Sequence, residues 1–314
     1  MAQKKLVDPK TGESFDLWVD TEDDKQRKSK WKEKMLAKKE HEKLTGSFTF
    51  TLLSSIQGLI EDTSFTDDEK TRIMFLGTYV TYGESEYSKL QKGNGTPILK
   101  KHLQKLLMIT HNKSFYQFYN RLIEKKIIIE NGNGKNAELY WTSKYHFKGK
   151  ASLSHRKEKN LIKLYDRQLR ELYTSKDQKG RQKYRPSNLY ILFCMLPFVN
   201  YETNLLSVNA DIPASETRPL LLSELAIQFG LTRSSSLKRK LLNIKLADSP
   251  VFSIITEADK EYVRVNPYIV WRNTSEPPEA ITQTFKATKE FLISRQEALP
   301  GKRLRNYLES NGTQ

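Results

Sequence analysis

A single cysteine in 314 residues rules out a disulfide framework, and Cys194 sits inside an apolar run where a buried, inert thiol is expected. Long apolar runs are missing too. The longest, Leu189 to Val199, is too short to span a bilayer and is broken by Pro197, and no apolar stretch near Met1 has the form of a signal peptide. A cytoplasmic protein with no membrane partner is expected. No glycine loop of Walker type occurs, which argues against intrinsic nucleotide hydrolysis. The five histidines, His41, His102, His111, His146 and His155, are scattered without the paired spacing of a metal site, so neither metal nor other cofactor is expected. Tyr307 follows Arg303 and Arg305 as the nucleophile of a recombinase would. No His-x-x-Arg element accompanies it to stabilise charge on a phosphorane, and the chain is read as a non-enzyme.

Acidic residues are also in deficit. The formal charge is +16 and the pI near 9.6, which implies a polyanionic partner, nucleic acid before an anionic membrane surface. With 37% apolar residues the chain can bury two domain-sized cores. Its first 45 residues are polar, with a turn at Thr11 to Glu13, and Lys25 to Lys43 is strongly basic. Trp31, Met35 and Leu36 give that stretch only a narrow apolar stripe, so it reads as a basic arm rather than part of a core.

From Gly46 apolar periodicity begins. Phe48 to Leu59 reads as a strand or helix start leading into an amphipathic helix. A helix from Asp67 or Asp68 should end at Gly83, and Pro97 suits the first position of the next, which carries Leu99, Leu103, Leu106 and Leu107. Met108-Ile109-Thr110 makes a corner before a helix from His111 to about Lys125, with Phe115, Phe118, Tyr119 and Leu122 facing a core. Ile127 to Ile129, a Gly/Asn-rich turn, and Leu139 to Trp141 then read as a β-hairpin.

The second half repeats this order. Leu161, Leu164, Tyr165, Leu169 and Leu172 suggest a leading helix, Leu189 to Phe198 a second, and Leu221 to Leu242 two short helices around a tight turn. There Ser223 is placed as a cap, Leu225, Ala226 and Phe229 on one face, Gly230 at the turn, and Leu237, Leu241 and Leu242 in the core. Val251 to Ile255 and Tyr262 to Val265 would be a second hairpin. Leu103 matches Leu225, Leu107 matches Phe229, Ile109 matches Leu231 and Phe115 matches Leu237, all 122 positions apart, and the same spacing carries Tyr140 to Tyr262. The expected fold is therefore mainly α with small β-hairpins (α+β): a basic arm (1–45), two tandem winged-helix domains (46–150 and 151–274), and a C-terminal helix and tail (275–314). That last helix, Glu279 to Ala298, carries Ile281, Phe285, Thr288, Phe291 and Leu292 on one side, which would pack on the second domain or on another subunit as a homodimer contact.

Helices of this kind read DNA through polar side chains at base edges and cations at phosphates. In the first domain the outward set is His111, Asn112, Lys113, Ser114, Gln117, Asn120 and Arg121; in the second it is Arg233, Ser234, Ser235, Ser236, Lys238, Arg239 and Lys240. Asn133 and Lys135 in the first hairpin tip and Lys260 in the second would touch the backbone or minor groove.

The run LIKLY (Leu161 to Tyr165), the helix around Leu192 and Phe193, LSELAIQFGLT (Leu222 to Thr232) and YVRVNPYIVWRN (Tyr262 to Asn273) resemble RepL-type winged-helix plasmid and phage replication proteins of Gram-positive bacteria. ELYWTSKYHFKG (Glu138 to Gly149) is a weaker echo in the first half, and a tandem of winged helices is similar to plasmid initiators of the RepA and RepE class. The first corner departs from the pattern, with Gln104 and Met108 where the second has Ala226 and Gly230. The resemblance implies sequence-specific binding of double-stranded DNA at a replication origin, with host replication proteins as further partners. A transcriptional regulator of MarR-like type and a winged-helix protein-interaction module are the alternatives.

Overall fold

Thr45 marks a boundary: the computed structural model divides into two units, residues 1–44 and 45–314. It describes residues 2–7, 14–19, 21–83, 86–149, 160–247, 249–273, 275–283 and 285. In the first unit β1 (Ala2–Val7) and β2 (Ser14–Val19) pair antiparallel, Ala2 opposite Val19, where the sequence suggested only a polar segment; the turn expected at Thr11 to Glu13 lies outside the described residues. Phe15, Leu17, Trp18 and Val19, aromatic, apolar and β-branched residues, give β2 its strand propensity. Then α1 (Glu22–Thr45) begins with Glu22, Asp23 and Asp24 and ends with Lys43, a charge order that suits the helix dipole. Thr21 and Asp24 cap it reciprocally, the Asp24 N–H donating to the Thr21 hydroxyl and the Thr21 N–H to the Asp24 carboxylate. Trp31 and Leu36 stay exposed.

The second unit starts on alternating aromatics and threonines, which make β3 (Phe48–Leu52). It runs directly into α2 (Leu53–Glu61). Thr66 caps α3 (Asp67–Gly77) through a capping box with Glu69. This helix stops at Gly77, six residues short of the Gly83 expected, and Tyr79 and Val80 enter the core from the turn that follows. Next come β4 (Tyr87–Lys89), α4 (Lys100–Leu106), α5 (Asn112–Glu124), β5 (Ile128–Asn131), β6 (Glu138–Thr142) and β7 (His146–Phe147). Pro97 does not open α4. It bridges to Gln91 in a tight loop, and Leu99 takes the capping position.

β8 (Leu161–Tyr165) corrects the expectation of a leading helix: only Asp166–Thr174, α6, is helical. Leu161 to Tyr165 are drawn into a strand because β3 offers a partner, a tertiary demand that periodicity over five residues cannot reveal. α7 (Pro186–Met195), α8 (Leu222–Gln228), α9 (Ser234–Leu242), β9 (Lys245–Leu246), β10 (Ser249–Pro250), β11 (Phe252–Glu257), β12 (Lys260–Val265), β13 (Val270–Trp271) and α10 (Glu279–Gln283) follow among the described residues. Ser223 lies inside α8 and does not cap it; the Leu221 N–H donates to the Glu224 carboxylate instead, at 2.8 Å. Leu242 is 38% exposed, not core, whereas Leu237 and Leu241 are fully buried. Of the last helix, Ile281 and Phe285 are buried; Thr288, Phe291, Leu292, Arg303, Arg305 and Tyr307 lie outside the described residues.

The two halves meet in a sheet of order β13-β8-β3-β7. Phe50 stands opposite Lys163 at its middle, and the pairing repeats on either side: Phe50 with Phe147 is matched by Lys163 with Trp271, and Thr51 with His146 by Leu164 with Val270. Even the ends agree, the Leu53 N–H donating to the Asn160 carbonyl as the Asp166 N–H does to that of Ser47. The register gives this four-stranded sheet a local two-fold axis through its centre, which exchanges β3 with β8 and β7 with β13. Across the seam, Asp166 accepts from Thr49 (2.6 Å) and Ser47 (2.8 Å) and forms a buried ion pair with Lys148 (2.6 Å). One continuous apolar core runs through both halves, from Leu53 to Val270.

Candidate nucleic-acid interface

Each half presents two short helices around a corner, and the two corners share one hydrogen-bond scheme. In the first, the N–H groups of Leu107, Met108 and Ile109 donate to the carbonyls of Leu103, Lys105 and Gln104. In the second, those of Phe229, Gly230 and Leu231 donate to Leu225, Ile227 and Ala226. Gly230 has φ +66°, the left-handed conformation that glycine adopts without strain, and Met108 holds the same conformation at φ +54°. Gln104 explains how the first corner tolerates this: its side-chain amide donates to the Ile109 carbonyl (3.2 Å) and to Asn112 Oδ1 (2.8 Å), fastening the turn that Ala226 leaves unbraced.

On α5, Phe115, Phe118, Tyr119 and Leu122 face the core, as their spacing suggested, and Phe115 packs on Tyr119. The opposite face is exposed at Lys113, Ser114, Gln117 and Asn120, with His111 and Asn112 at its start. Arg121 behaves differently. It is half-buried, lies 5.8 Å from the Phe65 ring centre and pairs with Glu69, so its charge is engaged inside the protein. Tyr116 was missed by the sequence reading; it is 50% exposed and stands one turn beyond Lys113 on the same stripe. The i, i+3, i+7 spacing of Lys113, Tyr116 and Asn120 was the signal that could have found it.

On α9, Arg233, Ser235, Arg239 and Lys240 are exposed and Ser234 and Ser236 half-buried. Lys238 pairs with Glu261 of β12, which ties this helix to its hairpin. Both hairpins carry a lysine at the tip: Lys135 is exposed with Asn133 around a short 3-10 turn, and Lys260 follows Ala258 and Asp259, both at positive φ as a two-residue hairpin turn requires. The hairpins are not in the register that the 122-residue spacing implied. The Leu90 N–H donates to the Leu139 carbonyl and the Leu206 N–H to that of Val263, so Leu139 corresponds to Val263, and Tyr140 to Arg264 rather than Tyr262. Two extra residues have been taken up between α9 and β12, where β9 and β10 form.

Among the described residues no group of three His, Cys, Asp or Glu side chains could hold a metal ion, and no helix is long and apolar enough to cross a membrane. Cys194 is buried, and burial pushes its thiol up to about 11. Comparison with family models, curated proteins and solved structures finds no match.

Proposed function

We propose that this chain is a sequence-specific double-stranded-DNA-binding protein whose halves are two winged-helix modules, each using its second corner helix, α5 or α9, to read the major groove and its hairpin to touch the flanking backbone. The observation that carries the reading is that the face of each helix turned from the core is polar or cationic while its core face is locked by buried apolar residues. The basic stretch of α1, from Lys25 to Lys43, supplies sequence-independent phosphate affinity. Because the sheet that joins the halves has a local two-fold axis, the two half-sites are expected to be inverted relative to one another and recognised by unlike side chains: amides on α5, suited to adenine, and arginine with lysine on α9. Acting at a plasmid or phage replication origin is the role proposed; operator binding as a transcriptional regulator uses the same contacts.

Selection of bound fragments from random duplex DNA tests this. The expected product is a bipartite, imperfectly inverted sequence, bound with an affinity that falls steeply between low and moderate salt. Recovery of no consensus, or salt-insensitive binding, would remove the proposal. Replication of a test plasmid dependent on this protein alone separates initiator from regulator.

A further inference from the structure

A cleft of about 480 Å³ opens at the seam between the halves, walled on one side by α4 and the loop before it and on the other by the end of α6. Lys92, Lys101, Lys105 and Lys176 line it together with His102, and Leu106 and Met108 give it an apolar floor. Among the described residues that line it there is no carboxylate. Lys101 donates to Asn136 Oδ1 at 2.8 Å, and among the described residues Lys92, Lys105 and Lys176 meet no acidic partner. Four ammonium groups around one concavity repel one another unless an anion is held between them.

The duplicated architecture supplies an internal comparison. The Lys92 N–H donates to the Thr96 carbonyl as the Val208 N–H does to that of Arg218, and the shared corner bonds match Lys105 with Ile227. Thus the second half carries valine and isoleucine where the first carries two of the four lysines, and the fold does not require cations there. At the capping position the contrast is sharper: Leu221 N–H donates to the Glu224 carboxylate, whereas Leu99 N–H donates to His102 Nδ1 at 3.4 Å. The first half thereby caps its helix without placing a negative charge in the cleft. Accepting at Nδ1 leaves His102 Nε2 as a donor. Burial, and then the charges of Lys92 and Lys101, hold the imidazole below its ordinary pKa.

We propose that this cleft binds the phosphate groups of a nucleotide, with the lysines on the phosphates and Leu106 and Met108 against the sugar or base. The phosphates come from a free nucleoside triphosphate or from the backbone of bound DNA; only the second source rests on the DNA-binding reading. The volume suits a mononucleotide, and the mixture of apolar floor and converging cations is what such a ligand requires.

The test uses the full chain, the double variant Lys101→Glu/Lys105→Glu at two exposed positions, and Lys144→Glu, an exposed position outside the cleft and outside both recognition helices, as the control. Binding of a fluorescent ATP analogue, competed by pyrophosphate, is measured without DNA, and binding of a duplex of unselected sequence is measured separately. A free-nucleotide site predicts saturable ATP-analogue binding, weakened at least tenfold by the double variant and unchanged by Lys144→Glu. A backbone site predicts no analogue binding but at least a tenfold loss of duplex affinity in the double variant, regardless of sequence. Acetylation footprinting of the wild-type chain guards against a misfolded variant: Lys92, Lys101, Lys105 and Lys176 should be protected together by whichever ligand binds. Neither affinity changing in the double variant, or no joint protection, overturns the proposal. Failure of the wild type to bind any duplex, with analogue binding intact, would instead count against the DNA reading alone.

Discussion

His146 is the most constrained titratable residue in the sheet. It is fully buried on β7, its two ring nitrogens have no hydrogen-bond partner among the described residues, and a Cβ on Gly77 would come within 2.4 Å of its ring. Burial depresses its pKa to about 3 from 6.5, so the folded chain binds fewer protons at this position than the unfolded chain at any pH between those values. Stability from this group is fully present above pH 6.5 and is lost as the pH falls toward 3, at a limiting slope of about 1.4 kcal/mol per pH unit. Urea unfolding at pH 7 and pH 5 should show that loss, and His146→Phe should flatten it; an equal slope in the variant would assign acid sensitivity elsewhere. Arg121 and Gln117, one helical turn apart, should part company. Arg121→Ala leaves Glu69 without its cation and should cost about 1–2 kcal/mol of stability, while Gln117→Ala should leave the melting temperature unchanged and weaken only binding to the selected DNA site. Nothing in a linear reading distinguishes the two, because Glu69 reaches Arg121 from another helix.

For the elements, the two corners make a controlled pair. Met108→Gly should stabilise the protein by about 1 kcal/mol, since it relieves a left-handed residue bearing a side chain, and Gly230→Ala should destabilise by a similar amount through the same conformation, there being open space for its Cβ. Thermal melts of both variants check the signs, and a destabilised Met108→Gly would mean that the methionine side chain contributes more by packing than its backbone costs. These helices, their corner residues and the two hairpins were legible in the sequence, because each depends on local spacing: Phe115, Phe118 and Leu122 on α5, or Ala258-Asp259 between two β-rich runs. The strand pairing of Phe48–Leu52 with Leu161–Tyr165 was not. Read in the same direction, FTFTL and LIKLY share no residue type at matching positions, and their pairing joins segments more than a hundred positions apart, a property of the assembled fold. The lysine cleft was equally hidden, since Lys92, Lys105 and Lys176 come together only across that seam.

At the scale of the molecule, the halves are unlike copies locked in a symmetric frame, which separates the roles of frame and surface. The frame, β3 and β8 with the bonds at both their ends, is repeated almost bond for bond; the exposed faces of α5 and α9 share few side chains. Substitutions on one head are therefore expected to alter preference in one half-site only. Arg239→Ala should relax selection on one side of the bound sequence and Gln117→Ala on the other, while Lys32→Ala on α1 should lower affinity for all DNA about equally. Footprints of the three variants on the selected site measure this directly, and loss of both half-sites together in either head variant would contradict independent heads.

The β3–β8 pairing has a further consequence for how the chain is made. Its partners lie more than a hundred positions apart, so a ribosome releases β3 long before β8 exists to cover it. Until then β7 alone can flank β3, and one edge of the nascent sheet is open to any other strand, including β3 of a neighbouring chain. Folding yield should thus depend on translation speed and on protein concentration during synthesis. Lys163 at the centre of β8, opposite Phe50, places its ammonium 5.3 Å from the Phe48 ring centre, a cation–π contact that a second copy of β3 cannot supply.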